Sequence, residues 1–359
     1  MTPQVISHGG GVWSIKVPIP DNPLGFTLVH LIDTDRGAVL IDTGWDDPAS
    51  WNALADGLAD CGVAVDDVHG VVITHHHPDH HGLSAKVRDA SGAWIAMHAA
   101  DASVVRRTRA NPPGRWYAYM AAKLMAAGAP AEHVAPLVRA AEEGRPRKLP
   151  GLDPALPDRD IAPGELLDLA GRRLRAIWTP GHTPGHVCLH LEEDHPANLR
   201  GNGRLFSGDH LLPGITPHIG LYEDPDDATV TDPSPSSRLR SSRGDPIGDY
   251  LDSLERVARL DPAEILPAHQ HAFTDAPARV GSLIAHHEER LTGLHALLAE
   301  PRTAWQLAER MEWNRPWAEI PYGSRNIAVS EAEAHVRRLV KLGRAEVMPG
   351  GDPVTYVAV

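Results

Sequence analysis

Residues 74 to 82 read Thr-His-His-His-Pro-Asp-His-His-Gly and gather five of the chain's 22 histidines around one aspartate, directly after the apolar run Val71-Val72-Ile73. The apolar run predicts a buried strand over 70 to 74. Trp51, Leu54, Leu58 and Cys61, at three- and four-residue spacing, predict a helix over 47 to 61 leading into it. Any fold for this chain must therefore bury a strand and end it in a row of imidazoles. The histidines then sit in a strand-to-helix loop.

Ligand chemistry explains such a loop. In His75-x-His77-x-Asp79-His80 the first two imidazoles share a side of the chain as the strand ends, and Asp79 and His80 fall in the turn beyond. One loop can then serve two metal ions. Neutral imidazole and carboxylate suit zinc, and also iron or manganese, and a hydrolytic site keeps a position open for water. Four ligands cannot fill two shells, so others must come from elsewhere. They are found where apolar runs end: His182 in Thr-Pro-Gly-His-Thr-Pro-Gly-His (179 to 186), Asp209 in Phe-Ser-Gly-Asp-His (206 to 210) and His269 in Ile-Leu-Pro-Ala-His (265 to 269). Any one alone reads as a hydrogen-bonded surface residue. Four loops of this kind together point to a metal centre.

Around these motifs, Val12 to Val17, Thr27 to Asp33 and Ala38 to Asp42 read as a strand meander. From about 99 to 144 the pattern turns helical, with Trp116, Tyr117, Tyr119, Met120 and Met125 concentrated in one segment of an insertion. Strands are expected at 174 to 178, 187 to 191 and 205 to 206, a long loop at about 223 to 245, a helix at 247 to 260 and a buried strand from Glu264. Beyond about 285 three helices (286 to 299, 304 to 311, 330 to 342) precede two strands, 345 to 348 and 354 to 357, split by a Pro-Gly-Gly-Asp-Pro turn. This order describes a winged-helix module. The expected domains are therefore 1 to 285, with the helical insertion at about 100 to 150, and 286 to 359.

Composition excludes several partners. A formal net charge of -13 gives no electrostatic footprint for nucleic acid or an anionic membrane. The two cysteines, Cys61 and Cys188, form neither a disulfide framework nor a thiolate site. The N-terminal stretch lacks a secretory pattern and no run approaches membrane-spanning length, so cytoplasmic residence is expected.

The ordered set THHHPDHHG, TPGHTPGH, SGDH and ILPAH resembles the metallo-β-lactamase superfamily, and Leu-Ile-Asp42-Thr-Gly44 looks like its second-strand signature. The likeness covers roughly residues 10 to 275. It implies an α/β fold, a four-layer αβ/βα sandwich, with a dinuclear metal site at the sheet edges. By this resemblance His75, His77 and His182 hold the first metal, Asp79, His80 and His269 the second, and Asp209 bridges them. The two divalent ions would be zinc, with iron or manganese as alternatives. At the last motif many relatives place Gly-His-Gly where this chain has Ala268-His269-Gln270-His271, so His271 stays open as the ligand. Asp42 is a candidate to orient a ligating imidazole; its other reading is a turn aspartate capping the next helix. His186, with His76, His81 and His210, is assigned a supporting or surface role.

The expected chemistry is hydrolysis by a metal-bridging hydroxide, with Asp79 or bound water handling the proton. The leading substrate is a small carbonyl compound, a thioester of acyl-CoA or glutathione type, or a lactone. Trp116, Tyr117, Tyr119, Met120, His218 and Tyr222 are candidate substrate contacts, although the aromatic segment also reads as packing of the insertion. Arg145 to Lys148 and Arg238, Arg240 and Arg243 read either as an anion handle or as solvated faces. The alternatives are an endoribonuclease or phosphodiesterase using the winged helix, and an iron-dependent sulfur dioxygenase. Histidine at position 80 argues against oxygen-reducing relatives, which carry a carboxylate nearby. Residues 330 to 344 mix Arg337, Arg338, Lys341 and Arg344 with Glu331 and Glu333, which disfavours nucleic acid and favours a homodimer contact or substrate lid.

Overall fold

In the computed structural model, which describes residues 4–146, 153–222 and 244–359, the β-branched runs of the N-terminal half pair into a seven-stranded sheet. Its strands are β1 (Val5–Gly9), β2 (Val12–Pro18), β3 (Phe26–Thr34), β4 (Gly37–Ile41), β5 (Val68–Val72), β6 (Trp94–His98) and β7 (Arg159–Ile161), side by side in chain order. The first four pair antiparallel, and β4 through β7 pair parallel. Parallel neighbours need crossovers. Here they are α1 (Pro48–Asp60) and then α2 (Pro78–His81) with α3 (Ser84–Ser91); α4 (Ala99–Ala110) follows β6. Asp47 caps α1 by accepting from Ala49 N at 2.8 Å, with Pro48 at the first helical position.

A second sheet contains β8 (Leu166–Leu169), β9 (Arg172–Trp178), β10 (Val187–Leu191), β11 (Arg204–Gly208) and β12 (Glu264–Pro267), in the order β12-β11-β10-β9-β8, antiparallel except for β11 with β12. The period-two pattern of the strands explains why both faces of the first sheet are covered. Leu31, Leu40 and Val71 pack with Leu54, Leu58 and Val87 of the helices, whereas Ile32, Val39, Ile41 and Val72 pack with Leu174, Leu189, Phe206 and Leu266 of the second sheet. These side chains are fully buried, and each contributes about 1.5–3 kcal/mol of transfer free energy. On the outer side of the second sheet, Leu254 and Val257 of α7 (Pro246–Ala258) are buried, and Ser253 Oγ donates to Pro180 O at 3.0 Å. Helix, sheet, sheet and helix make the four-layer α/β sandwich that the sequence led us to expect.

The chain divides into two compact units. The sandwich belongs to Met1–Arg109, Lys148–Pro217 and Asp252–Gly281, and the other unit comprises Ala110–Arg147, His218–Leu251 and Ser282–Val359. In the second unit α5 (Arg115–Ala126), α6 (Ala131–Glu142), the later part of α8 (Ala276–Leu297), α9 (Ala304–Ala308) and α10 (Arg325–Lys341) share one core, which includes Leu124, Leu291, Leu294, Leu307, Val336 and Tyr356. A small sheet, in the order β13 (Arg302–Thr303), β15 (Thr355–Ala358), β14 (Ala345–Val347), completes it. Thr303 and Gln306 form a reciprocal capping box on α9.

Helix α8 starts at Ala276, ten residues before the predicted His286. Pro277 sits in its first turn, where a missing N–H costs nothing, and Asp275 Oδ1 accepts from Ala278 N at 3.1 Å. Strands β1, β6, β7, β8 and β13 are not among the predicted elements, and α3 is the helix expected beyond the histidine loop. Arg147, Lys148, the arginines at 238, 240 and 243 and residues 223–243 of the expected long loop lie outside the described residues. Among the described residues no helix is long and apolar enough to cross a membrane.

Candidate metal centre

The sheet topology fixes where the polar loops emerge. Because β4, β5 and β6 run parallel, Asp42, the 75–80 loop and Asp101 all follow strands at one end of the first sheet. Because β11 and β12 run parallel, Asp209 and His269 leave the second sheet together, and His182 lies in the β9–β10 connection. This is the usual place for a site in such sheets, outside the carboxyl ends of parallel strands.

The side chains converge in two donor groups, His75, His77, His182 and Asp209 in one and Asp79, His80 and His269 in the other. In the first, His77 Nδ1 lies 3.0 Å from His75 Nε2 and 2.9 Å from His182 Nε2. In the second, Asp79 Oδ2 lies 3.5 Å from His80 Nε2 and 3.4 Å from His269 Nε2. Asp209 faces both. Its Oδ2 is 3.5 Å from His182 Nε2 and 4.0 Å from His75 Nε2, and its Oδ1 is 3.4 Å from His80 Nε2 and 3.3 Å from His269 Nε2. His271 is exposed, whereas His269 is buried in the centre.

Hydrogen bonds assign the ring tautomers. Thr74 Oγ1 donates to Asp42 Oδ2 at 2.8 Å and so accepts from His75 Nδ1 at 3.1 Å, leaving His75 Nε2 with its lone pair toward the centre. His80 Nδ1 donates to Asp42 Oδ2 at 2.8 Å, and His269 Nδ1 donates to Phe26 O at 3.0 Å, which aims both Nε2 atoms inward. His186 is oriented the opposite way. Its Nε2 accepts from Asp209 N at 3.2 Å and its Nδ1 donates to Thr179 Oγ1 at 2.8 Å, so it holds the Asp209 backbone. Gly208, at φ +50, permits this approach: a Cβ there would meet His186 Nε2 at 2.7 Å. Of the other histidines, His76 bonds Asp101 and His81 bonds Ala155 O, and His210 is buried beside His186.

The electrostatics call for cations. His80 Nε2, His269 Nε2 and Asp209 Oδ1 are buried and none has a hydrogen-bond partner among the described residues, although Asp209 Oδ1 lies within 3.4 Å of both ring nitrogens. Burial lowers the basicity of His75 and His77, and neighbouring imidazoles lower it further, so both are neutral lone-pair donors. Burial acts on His269 as well, but Asp209 and Asp79 outweigh it and push its pKa up to about 10. Asp79, Asp209 and Asp42 likewise raise His80 well above the ordinary range, against the pull of burial. Burial would raise Asp209, yet His269 and His80 hold it well below the carboxylate range. Without metal, protons sit on the inward nitrogens of His80 and His269, where a divalent ion at the second group would replace them. The donor set, five imidazoles and two carboxylates around unpaired inward atoms, fits two divalent ions.

The other candidates lie in the second unit. Trp116, Tyr117, Tyr119 and Met120 belong to α5, with Tyr119 and Met120 buried; His218 Nδ1 is 3.2 Å from Glu331 Oε2, and Tyr222 OH donates to Asp249 Oδ2 at 3.1 Å. Reading the sequence missed Thr74, Thr179, Asp101 and the Phe26 carbonyl. Thr74 and Thr179 stand in the histidine motifs with nothing to show that they orient a ring, and Asp101 and the Phe26 carbonyl act on partners distant in the chain.

Comparison with known proteins agrees with this geometry. A family model described as the metallo-beta-lactamase superfamily matches residues 22–269. The probable metallo-hydrolase YqjP of Bacillus subtilis is 27% identical over 306 residues, covering 84% of each chain. The lactamase-like protein aptB of Emericella nidulans is 25% identical over 280 residues, 78% of this chain; the alignment spans 62% of aptB's own length. Among solved structures, the metallo-beta-lactamase family protein TTHA1429 from Thermus thermophilus aligns with a TM-score of 0.72 and 28% identity, covering 98% of this chain and 100% of that one. A beta-lactamase domain protein from Burkholderia ambifaria shares the fold, with a TM-score of 0.76 at 23% identity, over 99% of this chain and 94% of its own. Motifs, fold and donor geometry lead to one conclusion: this chain belongs to the metallo-β-lactamase superfamily and is a metal-dependent hydrolase.

Proposed function

We propose that the chain is a dinuclear zinc hydrolase of a small carbonyl substrate, a thioester first and a lactone second. The observation that carries the dinuclear reading is Asp209, whose two oxygens face different donor groups. His75, His77 and His182 would hold one ion, Asp79, His80 and His269 the other, and Asp209 both. Two such ions would polarise a carbonyl and lower the pKa of water toward neutrality. Around them the protein's own groups act by position. Asp42 and Phe26 O aim His80 and His269, His186 fixes the Asp209 backbone, and Asp79 is the carboxylate we assign to proton transfer.

The preference for a carbonyl over a phosphodiester rests on charge. Residues 286 to 359, which we read as a winged helix from the β13–α9–α10–β14–β15 order, carry ten acidic and nine basic residues. The arginines of its third helix are engaged within the unit: Arg337 Nε donates to Glu333 Oε1 at 3.0 Å and Arg338 Nη1 to Asp245 Oδ2 at 2.6 Å. A phosphate reader needs those charges on its surface. This supports a dimer contact or a lid for the module instead.

The test is metal analysis of the purified protein with a hydrolysis panel of acyl thioesters, lactones, β-lactams and bis-aryl phosphates, on wild type and Asp209→Ala. Two zinc equivalents and thioester or lactone turnover lost in the variant are expected. One iron per chain with no turnover across the panel would replace this reading with sulfur oxidation.

A further inference from the structure

Asp101 lies in the first turn of α4, fully buried, and belongs to neither donor group. Its Oδ2 accepts from His76 N at 2.9 Å, His76 Nδ1 at 3.0 Å and Thr183 Oγ1 at 2.8 Å, and its Oδ1 accepts from Gly185 N at 2.6 Å. Each bond reaches a neighbour of the first donor group. The His76 peptide joins His75 to His77, Thr183 follows His182, and Gly185 precedes His186, whose ring holds Asp209 N. One carboxylate therefore ties together the two loops that supply all three imidazoles of that group. The fit is close: a Cβ on Gly185 would meet Asp101 N at 2.5 Å and Asp101 Oδ1 at 2.6 Å. The second group is held differently, by Asp42 and Phe26 O.

We propose that Asp101 is a positioning residue that sets the spacing of His75, His77 and His182, so that the first metal position depends on it and the second does not. The inference rests on the dinuclear reading above and adds a selectivity that reading does not contain. Outer partners of metal ligands typically change metal affinity by about 10–100-fold. Asp101, Thr183 and Gly185 are buried and His76 is partly exposed, so the bonds from Thr183 and Gly185 cannot be replaced by solvent without rearranging their loop.

The experiment titrates chelator-stripped full-length protein with zinc against a competing chelator and follows cobalt(II) absorption in parallel. Wild type, Asp101→Asn and the nearly isosteric Thr183→Val are compared, with unfolding monitored by circular dichroism. In Asp101→Asn one zinc equivalent should weaken by about 10–100-fold while the other holds, with a matching change in half of the cobalt spectrum. Thr183→Val should weaken the same equivalent less. In a His269→Ala background, which removes a ligand of the second group, Asp101→Asn should weaken the remaining equivalent. Wild-type affinity for both ions in Asp101→Asn, or equal weakening of both in a folded Asp101→Asn, would overturn the proposal. Should Asp101→Asn not fold, Thr183→Val decides: selective weakening supports the proposal, and no change overturns it. A wild type binding fewer than two equivalents would instead defeat the dinuclear reading, and that is seen before any variant is compared.

Discussion

Asp42 Oδ2 lies 2.8 Å from His80 Nδ1, and Asp42 itself sits at φ 62, a left-handed backbone conformation that few non-glycine residues adopt. The strain is held in place by the same carboxylate, which also accepts from Thr74 N at 2.8 Å. Asp42→Asn keeps the backbone preference, because asparagine tolerates this region, and removes the charge behind His80 together with one of the two oxygens that accept from His80 and Thr74. Zinc affinity at the second position should fall about 10–100-fold with little change in melting temperature. Competition titration checks this; unchanged affinity would show that Asp42 serves the turn alone.

Asp209 shapes the basicity of its neighbours, and in our proposal it also faces both metal positions. In the metal-stripped protein His269 is pushed up to about 10, against burial, chiefly by the charge of Asp209. Asp209→Asn should bring the His269 titration down toward its ordinary 6.5, as read by NMR of the imidazole protons, and should cost more than the ~100-fold expected of an outer partner in hydrolysis. A His269 titration left near 10 would mean that Asp79 alone sets it.

What was legible in the sequence is what local pattern encodes. The seven donors follow apolar runs, so the strands that carry them and the turns that present them could be read together. Asp101 could not. Its partners His76 and Gly185 lie 25 and 84 residues away; the parallel β5–β6 pairing brings the His76 loop beside it, while Gly185 comes from the β9–β10 connection of the second sheet. Thr74 was visible as a residue and silent as a relay, because its role depends on Asp42 across the β4–β5 pair. Short strands such as β7 and β8 carry too few residues for a period to register.

The second unit contains a device sensitive to acid. His335 Nδ1 donates to Glu331 O at 2.8 Å, so its Nε2 accepts from His287 Nδ1 at 3.1 Å; both rings are buried, near Arg290 and His286. Burial, then the neighbouring charges, lowers His287 to about 3 and, against the pull of Glu331, His335 to about 4. The unfolded chain binds these protons near 6.5, so stability is full above that pH and falls on acidification toward 4, by about 1.4 kcal/mol per pH unit for each ring. His335→Gln keeps a donor and an acceptor but cannot titrate. In metal-free protein its stability should fall less steeply between pH 6.5 and 4.5 than that of wild type; parallel slopes would refute the assignment.

The C-terminal module offers a last test, because Arg337 and Arg338 of its last helix are committed within the unit. Glu333 is buried, and Arg337 is its partner one turn along α10. Removing one member of such a pair strands a charge away from water, which costs about 3–5 kcal/mol. Arg337→Ala should therefore lower the melting temperature markedly. RNA binding by the wild-type protein should be weak and nearly independent of salt, since a helix whose guanidiniums are committed inside the fold releases few counterions. Tight RNA binding with a steep salt slope, lost in an Arg337→Ala protein of unchanged stability, would return the module to nucleic-acid recognition and the centre to phosphodiester chemistry.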